Sequence, residues 1–169
     1  SVNVFPEPDS ATIEMMYGEN DHSYLRTTER IEHCYNYSRL NQRSIQLSFL
    51  EKSGLPLKNK TLLDYASGSG FYMKFVENMG ASVIGVEFDA EFAQLISEKS
   101  GMRVMSFPSF KNHYQNNTLD YIHFGHILEH LSDPAKILLE IEPFTSPETV
   151  YIFDGPLDKN SCVSRLIID

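Results

Sequence analysis

Residues 62–70 and the acid at position 87 have the types and the spacing of a nucleotide-binding site. The run begins as an apolar strand, carries Asp64 near the strand's carboxyl end, and then turns through Gly68 and Gly70. Glycines let a backbone turn sharply and approach a ligand closely, and a turn that opens a helix leaves N–H groups for that ligand. Glu87 follows about 20 residues later, the usual separation of an acid that accepts hydrogen bonds from ribose hydroxyls.

Composition indicates that these residues belong to one acidic globular domain. The chain has 169 residues, of which 41% are hydrophobic, so we expect a single core and one domain over residues 1–169. The formal net charge of −9 disfavours nucleic acid as the main partner. Cys34 and Cys162 are too few for a disulfide framework, no signal peptide opens the chain, and no apolar run is long enough for a bilayer. We therefore expect a cytoplasmic protein that does not enter membranes.

The segments that must position the site alternate between strands and helices. Phe71, Phe75 and Val76 have the spacing of one helical face, and Asp89 and Asp133 are suited to cap the starts of two later helices. The segment after the third strand, which contains a proline, is expected to be a loop. Short apolar runs predict five strands, at residues 61–65, 81–87, 102–105, 119–124 and 150–153.

This alternation predicts an α/β fold of three layers, a Rossmann-like parallel sheet covered by helices on both faces. Residues 57–154 are expected to form this cofactor-binding core. Residues 1–56 are expected to form a lead-in and a helical cap over the site, and residues 155–169 a short tail. Ligands of such sheets bind beyond the carboxyl ends of the strands, where the turn, Glu87 and the residues after Phe124 should meet.

Three sequence blocks resemble the class I S-adenosylmethionine-dependent methyltransferases. Residues 64–70 (DYASGSG) are similar to the D-x-G-x-G-x-G motif of that family, and residues 85–89 (GVEFD) to its second-strand acid motif. Residues 119–134, with LEH followed by an Asp-Pro helix start, resemble its fourth-strand block. The blocks occur in the right order and spacing over about residues 60–154, which makes the combination more specific than any one of them.

The resemblance implies a role for each matching position. The backbone of the glycine turn would lie against the methionine part of the cofactor, Glu87 would take the ribose hydroxyls, and Phe88 would pack on the adenine. Asp64 would orient the turn or contact the methionine amino group through water. His126 would face the sulfonium and is the candidate general base. The implied cofactor contacts are Asp64, Ala66, Ser67, Gly68, Gly70, Glu87, Phe88, Gly125 and His126.

Two departures from the family pattern stand out in the core. Ala66 replaces the first motif glycine, although alanine is small enough to keep a close approach. The acid that often follows the third strand is not evident, and Ser106, Phe107 and Ser109 occupy that region.

A third departure is at the end of the sheet. The family sheet normally continues beyond the fifth strand, whereas only residues 154–169 remain here. We expect a truncated chain, an absent C-terminal part, or a partner that covers the exposed edge of the fifth strand.

The block at 126–130 also spells H-x-x-E-H, the pattern of an inverted zinc-protease motif. Helical spacing would place His126 and His130 on one face. However, the block directly follows a parallel strand and no further ligand stands out, so no metal is assigned. A divalent ion held by Glu129 and His130, orienting acceptor hydroxyls, stays an alternative, as does a purely structural role. The remaining histidines, His123 among them, are assigned no function.

The function that the resemblance implies is methyl transfer from S-adenosylmethionine to a small-molecule acceptor. One alternative is a methyltransferase-like module that binds cofactor weakly or not at all and serves assembly. Another is an NAD-dependent Rossmann enzyme. The third glycine that a dinucleotide fingerprint requires falls on Met73, which disfavours the latter.

Overall fold

The computed structural model describes residues 50, 52–114 and 118–154 of the chain. Within them, five parallel strands form one sheet in the order β3-β2-β1-β4-β5. The expected helical cap before residue 50 and the tail at 155–169 lie outside the described residues. The strands are β1 (Thr61–Tyr65), β2 (Ser82–Glu87), β3 (Val104–Ser106), β4 (Tyr121–Gly125) and β5 (Val150–Asp154).

Helices cover both faces of the sheet, which confirms the predicted three-layer α/β fold. None of the described helices is long and apolar enough to cross a bilayer. The helices whose two ends both lie among the described residues are α1 (Phe71–Asn78), α2 (Ala90–Ser100), α3 (Phe107–His113) and α4 (Pro134–Ile141), with 3₁₀ turns at Leu128–His130 and Glu142–Phe144.

The core consists of two layers because the central strands are apolar on both sides. Leu63 and Ile122 point toward the layer formed with α3 and α4. Leu62 points toward α1, where it packs with Val76, and Ile96 of α2 belongs to a neighbouring cluster on that same face. Strands buried on both faces are a feature of parallel sheets, and they fix β1 and β4 side by side at the centre.

The helix caps agree with the sequence signals. The Asp89 carboxylate accepts a hydrogen bond of 2.9 Å from the Glu91 N–H at the start of α2. Gly101 ends that helix in the left-handed conformation, with φ of 69°. At the start of α4, Asp133 accepts a bond of 2.9 Å from the Lys136 N–H. These side chains satisfy N–H groups that have no partner within the helix.

Two details of the predicted elements are wrong. The segment after β3 forms α3 rather than a loop, because Ser106 caps it and Pro108 lies in the first turn, where a missing N–H is tolerated. On α1, the side chains buried against the sheet include Tyr72 and Met73, while Phe75 is only half-buried. The buried face of α1 is thus rotated from the predicted one.

Candidate cofactor site at the carboxyl edge of the sheet

The glycine turn between β1 and α1 folds back on itself through left-handed backbone. Ala66, Gly68 and Gly70 have φ of 60°, 55° and 74°. The Ser67 N–H donates to the Val86 carbonyl at 3.1 Å, which ties the turn to β2. A Cβ placed on Gly68 would have no atom within 4 Å, so the space beside this glycine is open. The turn therefore leaves open space beside Gly68 at the strand edge, where α/β sheets bind ligands.

Ala66 occupies a backbone conformation that favours glycine. Its φ of 60° lies in the left-handed region, where an L side chain crowds the neighbouring carbonyl. Such a residue costs roughly 1 to 2 kcal/mol, a strain that glycine would not carry. The alanine at this motif position keeps the shape of the turn at the expense of stability.

Glu87 lies at the end of β2, directly against the turn. Its carboxylate accepts a hydrogen bond from the Gly68 N–H, and its residue surface is only 9% exposed. Burial raises the pKa of Glu87 to about 7, and the nearby charge of Asp64 acts in the same direction against the hydrogen bonds from Gly68 and Phe88. The predicted ribose acid thus approaches the glycine turn closely and is partly protonated near neutral pH.

Phe88 follows Glu87 and presents its ring to solvent. It is 55% exposed, although large apolar side chains are usually buried. One edge contact holds it, with the Tyr65 ring at a centroid distance of 5.5 Å and an interplanar angle of 84°. An aromatic ring next to the ribose acid is suited to stack on a planar base.

Asp64 and His123 form a buried pair across β1 and β4. His123 Nδ1 lies 2.7 Å from Asp64 Oδ1, and both side chains are almost completely buried. The sequence alone indicates no role for His123. The signal that could have identified it is a histidine within an apolar strand, at the position that pairs with Asp64 in register.

Gly125 and His126 end β4 at the same edge. A Cβ on Gly125 would lie 2.6 Å from Cε1 of His123, so the position excludes a side chain. His126 adopts φ of 54° and is exposed, and its N–H donates to the Asp154 carbonyl at 2.6 Å. The strand ends thus bring the turn, Glu87 and His126 to one edge, as the sequence predicted for parallel strands.

The H-x-x-E-H segment does not form the helical face that a zinc-protease motif requires. His126 lies in left-handed backbone before the segment, and only Leu128–His130 form a 3₁₀ turn. Within the described part of the chain, no group of three or more histidine, cysteine or acidic side chains could hold a metal ion.

A sequence model described as "Methyltransferase domain" matches residues 63–153, which contain the turn, Glu87 and the β4 edge. The chain belongs to the methyltransferase domain family. The cofactor of this family is S-adenosylmethionine. Comparison with curated protein sequences gives no significant match.

Solved structures of methyltransferases share this fold. A SAM-dependent methyltransferase from Aquifex aeolicus is 25% identical with a TM-score of 0.53, covering 72% of this chain and 68% of its own. The plantazolicin methyltransferase BpumL in complex with SAH is 17% identical with a TM-score of 0.60, covering 92% and 60%. A putative sarcosine dimethylglycine methyltransferase from Galdieria sulphuraria is 20% identical with a TM-score of 0.57, covering 76% and 53%. The chain thus spans between about half and two thirds of the length of these proteins.

The raised pKa of Glu87 predicts a pH-dependent gain of stability in Glu87→Gln. The folded pKa of about 7 exceeds the ordinary 4.5, so stability from this group is present at low pH and is lost as pH rises through 7. The amide cannot ionise. We expect the variant to unfold with a free energy higher by about 3 kcal/mol near pH 8, and by less than about 1 kcal/mol near pH 5. Urea denaturation at both pH values measures this.

The matched control is Glu148→Gln, because Glu148 is exposed in the loop before β5. It should leave the free energy of unfolding nearly unchanged at both pH values. A Glu87→Gln variant that is less stable than the wild type near pH 8 would contradict the burial of an ionised carboxylate at this position.

The left-handed backbone at position 66 predicts that Ala66→Gly stabilises the fold. We expect a gain of about 1 kcal/mol, because the relief of steric strain exceeds the larger entropy of glycine in the unfolded chain. The same substitution at Ala135, an exposed residue of α4, should lower the free energy of unfolding by up to about 1 kcal/mol. Thermal denaturation compares the two variants, and changes of the same sign would refute the strain.

Proposed function

We propose that the chain binds S-adenosylmethionine at the carboxyl edge of β1, β2 and β4 and transfers its methyl group to a small-molecule acceptor. The observation that supports this most directly is the meeting of Glu87 with the glycine turn. A buried carboxylate, open backbone beside Gly68 and an exposed aromatic ring at Phe88 lie together at the edge where α/β sheets bind ligands.

The residues present fit the parts of the cofactor. In this proposal, the backbone of residues 66–70, including Ser67, lies against the methionine moiety, and Asp64 attracts its ammonium group. Glu87 accepts hydrogen bonds from the ribose hydroxyls in place of the Gly68 N–H, and Phe88 stacks on the adenine. Gly125 and His126 face the sulfur. An acid, an aromatic ring and a turn with open space beside Gly68 match these partners in charge and shape.

When bound, the cofactor would supply a methyl group activated by a sulfonium. The acceptor atom would bond to the methyl carbon in line as the carbon–sulfur bond breaks, and S-adenosylhomocysteine would leave. The protein contributes by placing the acceptor atom behind the methyl carbon, since orientation alone can remove much of such a barrier. A base is needed only if the acceptor holds a proton at neutral pH. His126, exposed beside the proposed sulfur position, is the candidate for that task.

A small-molecule acceptor is favoured by the net charge of −9, which repels nucleic-acid phosphates. The proposed setting is the cytoplasm. The outer edge of β5 carries the half-exposed ring of Phe153, and we propose that residues beyond the described part of the chain, or a partner, cover this edge.

The NAD alternative is disfavoured by the packing of Met73. A dinucleotide-binding turn has a third glycine at this position, so that its helix can approach the strand closely. Met73 is instead buried, and its sulfur would lie 2.6 Å from a Cβ on Gly85 of β2. Here α1 can lie close to β2 because Gly85 has no side chain, and the large side chain of Met73 occupies that space.

Calorimetric titration with S-adenosylhomocysteine (SAH) tests the proposed function. We expect the protein to bind SAH and not to bind NAD. A folded sample that binds neither ligand would support the alternative of an assembly module without cofactor. A sample that binds NAD alone would support the alternative of an NAD-dependent Rossmann enzyme.

Phe88→Ala should weaken SAH binding by about tenfold or more, because stacking on an aromatic ring contributes on the order of 1 to 3 kcal/mol per base. Its effect on stability should be small, since the ring is largely exposed. Leu139→Ala is the control, because Leu139 is an apolar residue on α4 that is also more than half exposed. Equal SAH affinity for the two variants would contradict an adenine position at Phe88.

A further inference from the structure

The hydrogen bond between the buried side chains of Asp64 and His123 can be assigned a donor and an acceptor. The two residues pair across β1 and β4, and the Nδ1 to Oδ1 distance is 2.7 Å. Because a carboxylate can only accept, we assign the proton to His123 Nδ1, which then donates to Asp64. This is the one hydrogen bond that the described residues give the Asp64 side chain, so it sets the rotation of the carboxylate.

The surroundings of the His123 ring fix it in place. The Tyr72 ring of α1 stacks on it at a centroid distance of 3.7 Å and an angle of 19°. Gly125 leaves room above it, where a Cβ would lie 3.2 Å from Nε2. Nε2 is buried and has no hydrogen-bond partner among the described residues. His123 therefore cannot reach a methyl acceptor, which excludes it as a general base.

Stability alone does not account for the pair. The neighbours of His123 in β4, Ile122 and Phe124, are completely buried and apolar. An apolar pair in such a layer is often at least as stable as a buried charged one, because polar groups lose their hydration. The remaining benefit of the pair is that it orients the Asp64 carboxylate. This orientation matters for the site because Asp64 lies two residues before Ala66, where the turn begins.

We propose that His123 is a positioning residue for the cofactor. Its Nδ1–H bond holds the Asp64 carboxylate in the orientation that attracts the ammonium group of S-adenosylmethionine through water. This inference rests on the proposed function, since it assigns a support to one of the cofactor contacts. It also gives a reason for Gly125, whose missing side chain leaves the space in which the ring must lie.

The variants His123→Asn and His123→Leu test the donor separately from the ring. Both side chains branch at Cγ and both lose the stack on Tyr72, so their structural losses are matched. Asparagine can place an N–H near the position of Nδ1, whereas leucine cannot donate. The ligands are SAH and 5′-methylthioadenosine, which keeps the adenine, ribose and sulfur but lacks the amino acid part.

We expect His123→Leu to weaken SAH binding by about tenfold or more, as for a lost bond to a charged group. His123→Asn should stay within about threefold of the wild type. Methylthioadenosine should bind all three proteins alike. Equal loss for both ligands would show a merely structural role, and unchanged SAH binding by the leucine variant would also overturn the proposal. A wild type that binds neither ligand would instead refute the proposed function itself.

A measurement on the wild type covers the case in which the leucine variant fails to fold. Nitrogen-15 NMR of the histidine rings should show His123 protonated at Nδ1, with a resonance that shifts on addition of SAH but not of methylthioadenosine. Protonation at Nε2 alone, or a resonance that SAH leaves unchanged, would overturn the proposal.

Discussion

The structure of the candidate site depends on the contact between the Glu87 carboxylate and the Gly68 N–H. Two bonds hold the turn against β2, this one and the bond from the Ser67 N–H to the Val86 carbonyl. Only the first involves the carboxylate that a ribose would take over. The contact requires a carboxylate in a nearly dry position, so burial raises the pKa of Glu87 to about 7. A group placed this way opposes folding at high pH, which is expected where a protein keeps polar atoms ready for a ligand.

The same edge shows a second conflict between stability and geometry. Ala66 and His126 both adopt left-handed backbone, one at the end of β1 and the other at the end of β4. Non-glycine residues in this conformation are held by the surrounding structure, and they are frequent at functional sites. Beneath this edge, α1 places Tyr72 on His123 and Met73 over Gly85, so the helix covers a polar side chain and a missing one as well as the apolar surface around Leu62.

The sequence predicted well both the fold and the edge of the sheet at which the candidate site lies, because both follow from local patterns. Apolar strands buried on both faces and helix caps such as Asp89 need no tertiary information. It missed α3, because a proline in the first turn resembles a loop signal. It also missed His123, since a histidine in a strand acquires meaning only from the residue opposite it in register. The rotation of α1, which buries Met73, likewise depends on the contact with Gly85 across the layer.

The most direct test of the site is a crystal structure of the chain with SAH. We predict ribose hydroxyls within hydrogen-bond distance of the Glu87 carboxylate, in place of the Gly68 N–H, and the adenine ring against Phe88. The amino group of SAH should lie on the side of Asp64. Clear density for SAH at another surface, with Glu87 still bonded to Gly68, would contradict the account.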